Sequence, residues 1–486
     1  NGCEMHYLIT ESIAFKPHLE TSGELALRLR DEGHTVSYGW LGHNLPWSDW
    51  HLPWFTYLLG CSLERRVSHF QNILKDQHIS VLAPTSLSPS TLRELKHWAN
   101  SFKGDSSALR DYSYDGVSLG MGALSSLISL TGNSSYAPEL DLARVRRCLF
   151  SAAIVYKRTL LLLLNTKPDV LITFNGRFAT SRPIIEASAV IGIPVLRHER
   201  GSSYAKYSLY TDAIHNYDAI RQRIAEAWMF ASPATRDSLA HEFYKRRRNG
   251  DGICWYSYTD AQERGRTPAK SPLKRRLVYF SSSDDEYAAV TDAFRPGPWP
   301  DQLQALYALL RVAADFHDME VVIRLHPHLA KKSAVERKRW LALAGPNVRI
   351  IAPNDQIDSY ALLDSSDLVV TYGSTIGMEA AYAGKPSILI GPCSYAGSDA
   401  IYQPETVDQL RVLLSNPLLP PKKQKYCLPY GYYYMTFGEP FAYYRPQSLS
   451  DGLFLGRRLG WDPDWLYRLR QVSLIKSVSR SLLSRR

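Results

Sequence analysis

Val321–Leu329 reads VVIRLHPHL and Asp367–Pro386 reads DLVVTYGSTIGMEAAYAGKP. In each, an apolar run of strand length stops at a knot of polar residues. Arg324, His326 and His328 surround Pro327 at the end of the first run, and Arg324 and His326 share one strand face. Gly373, Ser374 and Thr375 end the second, with Glu379 one turn into the helix that follows. A strand that halts at Gly-Ser-Thr and turns into a helix leaves backbone N–H groups without intrahelical partners, and such groups bind anions. Two loops of this kind predict a nucleotide or nucleotide sugar at the C-terminal edge of a parallel sheet, with Glu379 placed to take ribose hydroxyls.

The same pattern extends on either side. LVYF (277–280) is a strand running into Ser281, Ser282, Ser283, Asp284, Asp285 and Glu286, a third loop whose serines could hold phosphate. Helices are expected at Asp301–Phe316 and Lys332–Leu343, and strands at VRII (348–351) and SILI (387–390). This is a βαβ array and hence a parallel sheet. A second array precedes it. MHYLITES, a helix over Glu20–Asp31, TVSYGW, a helix over Cys61–Lys75 and ISVLAP follow one another with short loops. After Pro84–Pro138, a polar stretch around an apolar island at Gly122–Leu130, a long helix over Leu140–Leu164 leads to the strand VLITF. A helix over Ser181–Ile191, the strand IPVLRHERG and a helix over Ile220–Tyr244 complete the half.

Length supports two such units, since 486 residues exceed one ordinary core. The expected organisation is an acceptor unit over 1–245 with an insertion near 84–138, and a charged, Pro- and Gly-bearing linker over 246–276. A nucleotide-sugar unit over 277–440 and a basic tail or crossover helix over 441–486 follow. A composition of 45% hydrophobic and 21% charged residues excludes disordered and fibrous classes. Net charge is +10, and the last thirty residues hold eight Lys and Arg against Asp462 and Asp464. Such a tail suits an anionic inner-membrane surface. No nucleic-acid-binding pattern accompanies it. The six cysteines, Cys3, Cys61, Cys148, Cys254, Cys393 and Cys427, show no ligand spacing and read as free thiols of a reducing compartment. No signal peptide is read and the apolar run Thr159–Leu164 is too short to span a bilayer, so a cytoplasmic, peripheral location is expected. Asp462-Pro463-Asp464 has metal-binding spacing but reads as a helix cap, and no metal is expected.

In the first half, Asn175, Arg177 and Arg182 follow one strand, and His198, Glu199 and Arg200 end the next. Glu199 is the candidate base or nucleophile, with His198 and Asp212 as further catalytic candidates and His215 as a weaker one. Arg177 and Arg182 would bind an acidic sugar or acceptor. Glu199 ion-paired to Arg197 or Arg200 is the structural alternative.

The pieces FSSSDDE, IRLHPHL and TYGSTIGMEAAYAGKP resemble the nucleotide-sugar domain of GT-B glycosyltransferases. More narrowly, they resemble the bacterial capsule and surface-polysaccharide group that includes Kdo transferases and, more distantly, polysialyltransferases. FNGRFATSRP and HERG resemble that group's cleft-facing strand ends, although the Glu-x-Gly segment here is Glu199-Arg200-Gly201-Ser202. The resemblance spans about 260 residues, from near Val170 to just past Pro392. It implies a GT-B architecture: α/β, two Rossmann-like domains with parallel sheets facing across a cleft. It also implies a transferase that takes a CMP-activated donor and a glycan or glycolipid acceptor. His326, Pro327, Ser374 and Thr375 would grip the donor's phosphate and sugar, and no cofactor beyond the nucleotide-sugar substrate is implied. UDP-N-acetylhexosamine 2-epimerases share the His-Pro and the Ser-to-Glu helix, which leaves an epimerase or a non-catalytic nucleotide-sugar-binding protein as alternatives.

Overall fold

The computed structural model describes the chain apart from residues 1–2, 51–57, 252–258, 260, 284–297, 333, 450 and 472–486. The first half begins with β1 (His6–Glu11), α1 (His18–Asp31), β2 (Thr35–Trp40) and β3 (Ser80–Val81). Helices α2 (Gly120–Thr131) and α3 (Leu142–Thr166) lead to β4 (Val170–Phe174), α4 (Arg182–Ile191), β5 (Val195–Arg200) and β6 (Lys206–Tyr210). Two helices follow, α5 (Tyr217–Phe230) and α6 (Arg236–Asn249). The second half runs β7 (Arg275–Phe280), α7 (Gln302–Ala313), β8 (Met319–Arg324), β9 (Val348–Ile351), β10 (Leu368–Thr371), α8 (Ile376–Tyr382) and β11 (Ser387–Leu389). The chain then enters α9 (Leu428–Thr436) and the short strand β12 (Glu439–Pro440).

Sheet order explains where a ligand belongs. The first sheet is β12-β6-β5-β4-β1-β2-β3 and the second is β9-β8-β7-β10-β11. Within each, the first five strands in chain order pair as 3-2-1-4-5, all parallel, so both halves are Rossmann-like. Each sheet reverses direction of growth beside its first strand, between β1 and β4 and between β7 and β10. The strands are apolar on both faces because helices cover both. Tyr279, Ile323 and Val370 enter one core, whereas Val278, Val322 and Val369 enter the other.

The two halves meet at two points near these loops. Arg221 of α5 donates to the carbonyl of Cys393, just past β11, at 3.3 Å. A Cβ placed on Gly132, at the end of α2, would lie 3.6 Å from Cδ of Lys332, beyond β8. This is the α/β, two-sheet GT-B arrangement expected above.

Several sequence readings need correction. The stretch 84–138 is not a polar excursion: it is largely helical, and its apolar island is α2, buried with α3 in a core around Leu127 and Leu149. The single helix expected over Ile220–Tyr244 is two, broken at Ser232-Pro233, where proline cannot supply the helical N–H. Arg246–Arg248, assigned to the linker, belong to the last turn of α6.

The second half does not end its own unit at residue 440. The chain returns earlier: α9 packs on α6, with the Tyr244 hydroxyl on the carbonyl of Cys427 at 2.7 Å, and β12 joins the first sheet beside β6. Buried Glu24 captures the returning chain, accepting the N–H groups of Ala442, Tyr443 and Tyr444 at 2.7, 2.7 and 3.1 Å. Tyr444, Phe454 and Leu459 then pack with Leu19 and Phe70 in the first core. The crossover is therefore made at 428–459, beginning before the 441–486 segment where it was expected.

Of the basic tail, Lys476, Arg480, Arg485 and Arg486 lie outside the described residues. Arg457 pairs with Asp76 at 3.3 Å and Arg458 with buried Asp462 at 2.8 Å. Among the described residues, α3 is long and apolar enough to cross a bilayer, but it is mostly buried against its neighbours. Cys254 is outside the described residues, and the other five cysteines form no disulfide among the described residues.

Candidate functional site

Three strand-end loops meet at the switch point of the second sheet. Ser281, Ser282 and Ser283, beyond β7, are all buried. The Ser281 hydroxyl accepts the N–H of His326 at 2.7 Å, which ties the first loop to the second. His326 Nδ1 accepts the N–H of His328 at 3.2 Å. Its proton therefore sits on Nε2, where it can be donated. Nδ1 of His328 lies 3.3 Å from the Ser283 hydroxyl. Among the described residues the buried Ser282 hydroxyl has no hydrogen-bond partner, and it lies near the third loop: a Cβ built on Gly373 would lie 3.8 Å from it. That same Cβ would meet the carbonyl of Pro392 at 2.9 Å, so glycine permits the close approach. Tyr395 fixes the loop by donating to the carbonyl of Ser374 at 2.6 Å. Ser374 is half-buried and Thr375 exposed, so their hydroxyls stand at the mouth.

Glu379 is buried one turn further in. Its carboxylate takes the hydroxyls of Tyr360 and, at 3.2 Å, Thr375, and the guanidinium of Arg247 lies 3.4 Å away. Burial and the Glu379 charge push the Tyr360 phenol far up, so it stays a donor. Arg247 comes from the last turn of α6, a contribution that the linker reading of this segment missed.

Arg324 leaves the donor set. Its side chain is buried, and its guanidinium donates to the carbonyls of Ala352 at 2.7 Å and Asp355 at 3.1 Å. It clamps the end of β8 to the loop after β9, because a buried cation must spend its donors on whatever acceptors lie nearest.

The first sheet's switch point holds an acid–base cluster. Asn175 and Gly176 turn the chain out of β4 with positive φ of 56° and 85°. Asn175 Nδ2 donates to Glu199 Oε2 at 2.8 Å, and the other Glu199 oxygen takes the N–H of Arg200 at 3.0 Å. Nε2 of His18 lies 3.4 Å from that oxygen. Burial, with Arg200 and His198 nearby, lowers the His18 pKa well below the usual range, so this ring is neutral. It lies over the Phe174 ring at 3.9 Å. Glu199 keeps 17% of its side chain open, and among the described residues it makes these polar contacts, not the alternative ion pair with Arg197 or Arg200.

Two catalytic candidates are relocated. His198 is fully buried, with Nε2 2.6 Å from Glu11 Oε1 and 3.2 Å from the Ser22 hydroxyl, so it faces α1 rather than the cleft. Strand alternation puts it on the opposite face from Arg197 and Glu199. Asp212 is exposed, accepts the Thr211 hydroxyl at 3.3 Å and serves the charge of Arg197 rather than Glu199. Sequence reasoning missed Glu11, His18 and Ser22. Glu11 had a signal: a carboxylate ending the apolar strand MHYLITES.

Arg177 and Arg182 come together with Arg197 and His215 around a cavity of about 120 Å³ that also touches Asn175.

No protein-family model and no curated protein matches the chain. Solved structures do resemble it. The KpsC β-Kdo 2,4-transferase of Thermosulfurimonas dismutans is 16% identical over 54% of this chain and 79% of its own, with a TM-score of 0.36. UDP-GlcNAc 2-epimerase from Neisseria meningitidis, bound to UDP-GlcNAc, is 11% identical over 88% of this chain and 97% of its own, with a TM-score of 0.29. The glycosyltransferase SnogD from Streptomyces nogalater is 13% identical over 89% of this chain and 95% of its own, with a TM-score of 0.22. Kdo transferases, named above on their motifs, are thus among the structures this chain is similar to.

Proposed function

We propose that this protein is a GT-B glycosyltransferase moving a sugar from a nucleotide-activated donor to a glycan or glycolipid acceptor. One observation carries the reading. The loops after β7, β8 and β10 converge at the switch point of the second sheet with Ser282, Ser283, His326, Ser374 and Thr375, while Glu199 stands at the facing switch point of the first. The donor's phosphate would take the Nε2 proton of His326 and the serine and threonine hydroxyls. Pro327 would hold that loop, and Glu379 would exchange a present partner for ribose. Fixed donors of this kind stabilise charge on a leaving phosphate. Glu199, oriented by Asn175 and His18, would activate the acceptor hydroxyl or attack the sugar. Motif resemblance favours a CMP-Kdo or CMP-sialate-like donor and a bacterial surface polysaccharide acceptor, on the cytoplasmic face of the inner membrane.

Thermal stability against CMP, CDP, UMP, UDP and GDP tests the donor site, because a ligand that binds the native state raises Tm by mass action. A CMP-selective rise lost in His326→Ala is expected. A UDP-selective rise, with an isomer formed from nucleotide sugar alone, replaces the transferase with an epimerase. No rise with any nucleotide overturns the site.

A further inference from the structure

Arg247 reaches the loop after β10 from outside the sheet. Phe243 and Tyr244 of α6 are buried in one core with Met378 and Ala381 of α8. Tyr244 stacks on Tyr382, the last residue of α8, with ring centroids 3.9 Å apart. Arg247 follows Phe243 by four residues and Tyr244 by three, so it shares their face of α6. The packing of the two helices therefore places Arg247 at the start of α8, where its Nη2 lies 3.4 Å from the Thr375 hydroxyl and 3.4 Å from Glu379 Oε1. The arginines on either side serve other acids: Arg246 pairs with Glu242 at 2.6 Å, and Arg248 pairs with Asp364. A basic last turn suits the negative end of a helix dipole, but that need does not direct one of the three into the donor loop.

The contact with Glu379 is loose. Charge-assisted N–H···O bonds close to about 2.7–2.9 Å, so a guanidinium at 3.4 Å from each oxygen straddles Thr375 and Glu379 and docks on neither. The Tyr360 hydroxyl holds Glu379 Oε2, and the Thr375 hydroxyl holds Oε1 at 3.2 Å. Of the three contacts on this carboxylate, that of Arg247 is the longest and so the most readily exchanged for a ribose hydroxyl. Arg247 keeps 27% of its side chain open, beside exposed Thr375 at the mouth. Phosphate oxygens match the guanidinium fork and carry more charge than a carboxylate shared with two hydroxyls.

We propose that Arg247 is a donor-binding residue, which yields Glu379 Oε1 to the ribose of the nucleotide and takes the phosphate that lies against Thr375. The proposal rests on the donor-site reading and deepens it. It makes α6, whose last turn reads in sequence as the edge of a linker, part of the nucleotide site. Affinity at this point then depends on the charge of the ligand and not on its ribose or base.

Calorimetric titration of the full chain with CMP against cytidine, and with UMP against uridine, tests it, with the rise in Tm read for ligands too weak to titrate. Arg247→Met is expected to weaken the nucleotide by about tenfold or more, the usual worth of a hydrogen bond to a charged group. The nucleoside should bind no more weakly than to the wild type. Arg247→Lys, which keeps the charge without the fork, should give an intermediate loss, and that graded value separates lost contact from lost folding. Arg248→Met, one residue further on, should bind the nucleotide as the wild type does. Nucleotide and nucleoside weakened alike would mean that Arg247 only shapes Glu379, and this overturns the proposal. An unchanged nucleotide affinity in Arg247→Met, or an equal loss in Arg248→Met, overturns it too. If His326→Ala loses the nucleotide while Arg247→Met keeps it, this inference falls and the donor site stands. If the wild type binds neither CMP nor UMP, both fall.

Discussion

Nδ2 of Asn175 donates to Oε2 of Glu199 across 2.8 Å, joining the exit of β4 to the end of β5. The bond aims one carboxylate at the cleft and occupies only one of its oxygens from that side. Glu199→Gln keeps the shape and removes the charge. Turnover should fall by about 10²–10⁴-fold, the usual worth of a positioned general base. The nucleotide-induced rise in Tm should remain, and its loss would mean that Glu199 acts on the donor or on folding instead.

The proton on His326 Nε2 supports a second expectation. His326→Ala removes a donor to a charged phosphate, worth about 1.5–3 kcal/mol, so nucleotide affinity should drop about 10–100-fold. Ser374→Ala should weaken binding less, because its hydroxyl stands at the mouth. Calorimetric titration with the stabilising nucleotide reads both. Arg324→Met should instead lower Tm, since Arg324 serves the carbonyls of Ala352 and Asp355.

Glu11 and His198 form a buried pair, with His198 Nε2 2.6 Å from Glu11 Oε1. Glu11→Ala leaves His198 Nε2 only the Ser22 hydroxyl and removes the acceptor of the Phe174 N–H, at about 1–3 kcal/mol for each buried group left unsatisfied. A large fall in Tm with wild-type turnover at low temperature would confirm a supporting role. Lost turnover at unchanged Tm would return His198 to the chemistry.

Glu24 should matter as much for stability. Glu24→Ala orphans three backbone N–H groups at the point where the chain rejoins the first unit. The expected cost is about 3 kcal/mol or more, at about 1–3 kcal/mol for each buried unsatisfied group. Limited proteolysis should then cut near residues 440–450 first, and resistance there equal to wild type would refute the latch.

His215 gives a pH dependence with a definite sign. Its folded pKa of about 4 lies below the unfolded value of about 6.5. Between these values the unfolded chain binds more protons, so stability rises with pH. The contribution is complete above about 6.5 and is lost as pH falls toward 4, by order 1–3 kcal/mol after solvent screening. His18, also lowered, acts in the same sense. Comparing the pH slope of Tm in His215→Asn with wild type isolates the His215 part, and identical slopes would exclude it.

The regular framework was legible because its signals are local. VVIRL, DLVVT, LVYF and VLITF are apolar on both faces, which in one dimension already describes a parallel strand between helix layers. The loops that end them, with His326, Ser374, Asn175 and Glu199, stand at strand exits where the chain order alone places them. The apolar island in 84–138 showed no such rhythm, and only its burial against α3 reveals it as a core helix.

What the linear pattern withheld are pairings between distant segments. Glu11 meets His198 across 187 residues, and Glu24 meets Tyr444 across 420. No periodicity encodes such contacts, because each depends on which strands become neighbours and on which face each side chain emerges. The same geometry took Arg324 out of the donor set and brought Arg197 into a cavity. Side-chain type and strand position thus specified the two sheets and their open edges, whereas the partners of each buried charge were decided by tertiary packing, since desolvation compels such a group to use whatever acceptor the fold brings within reach.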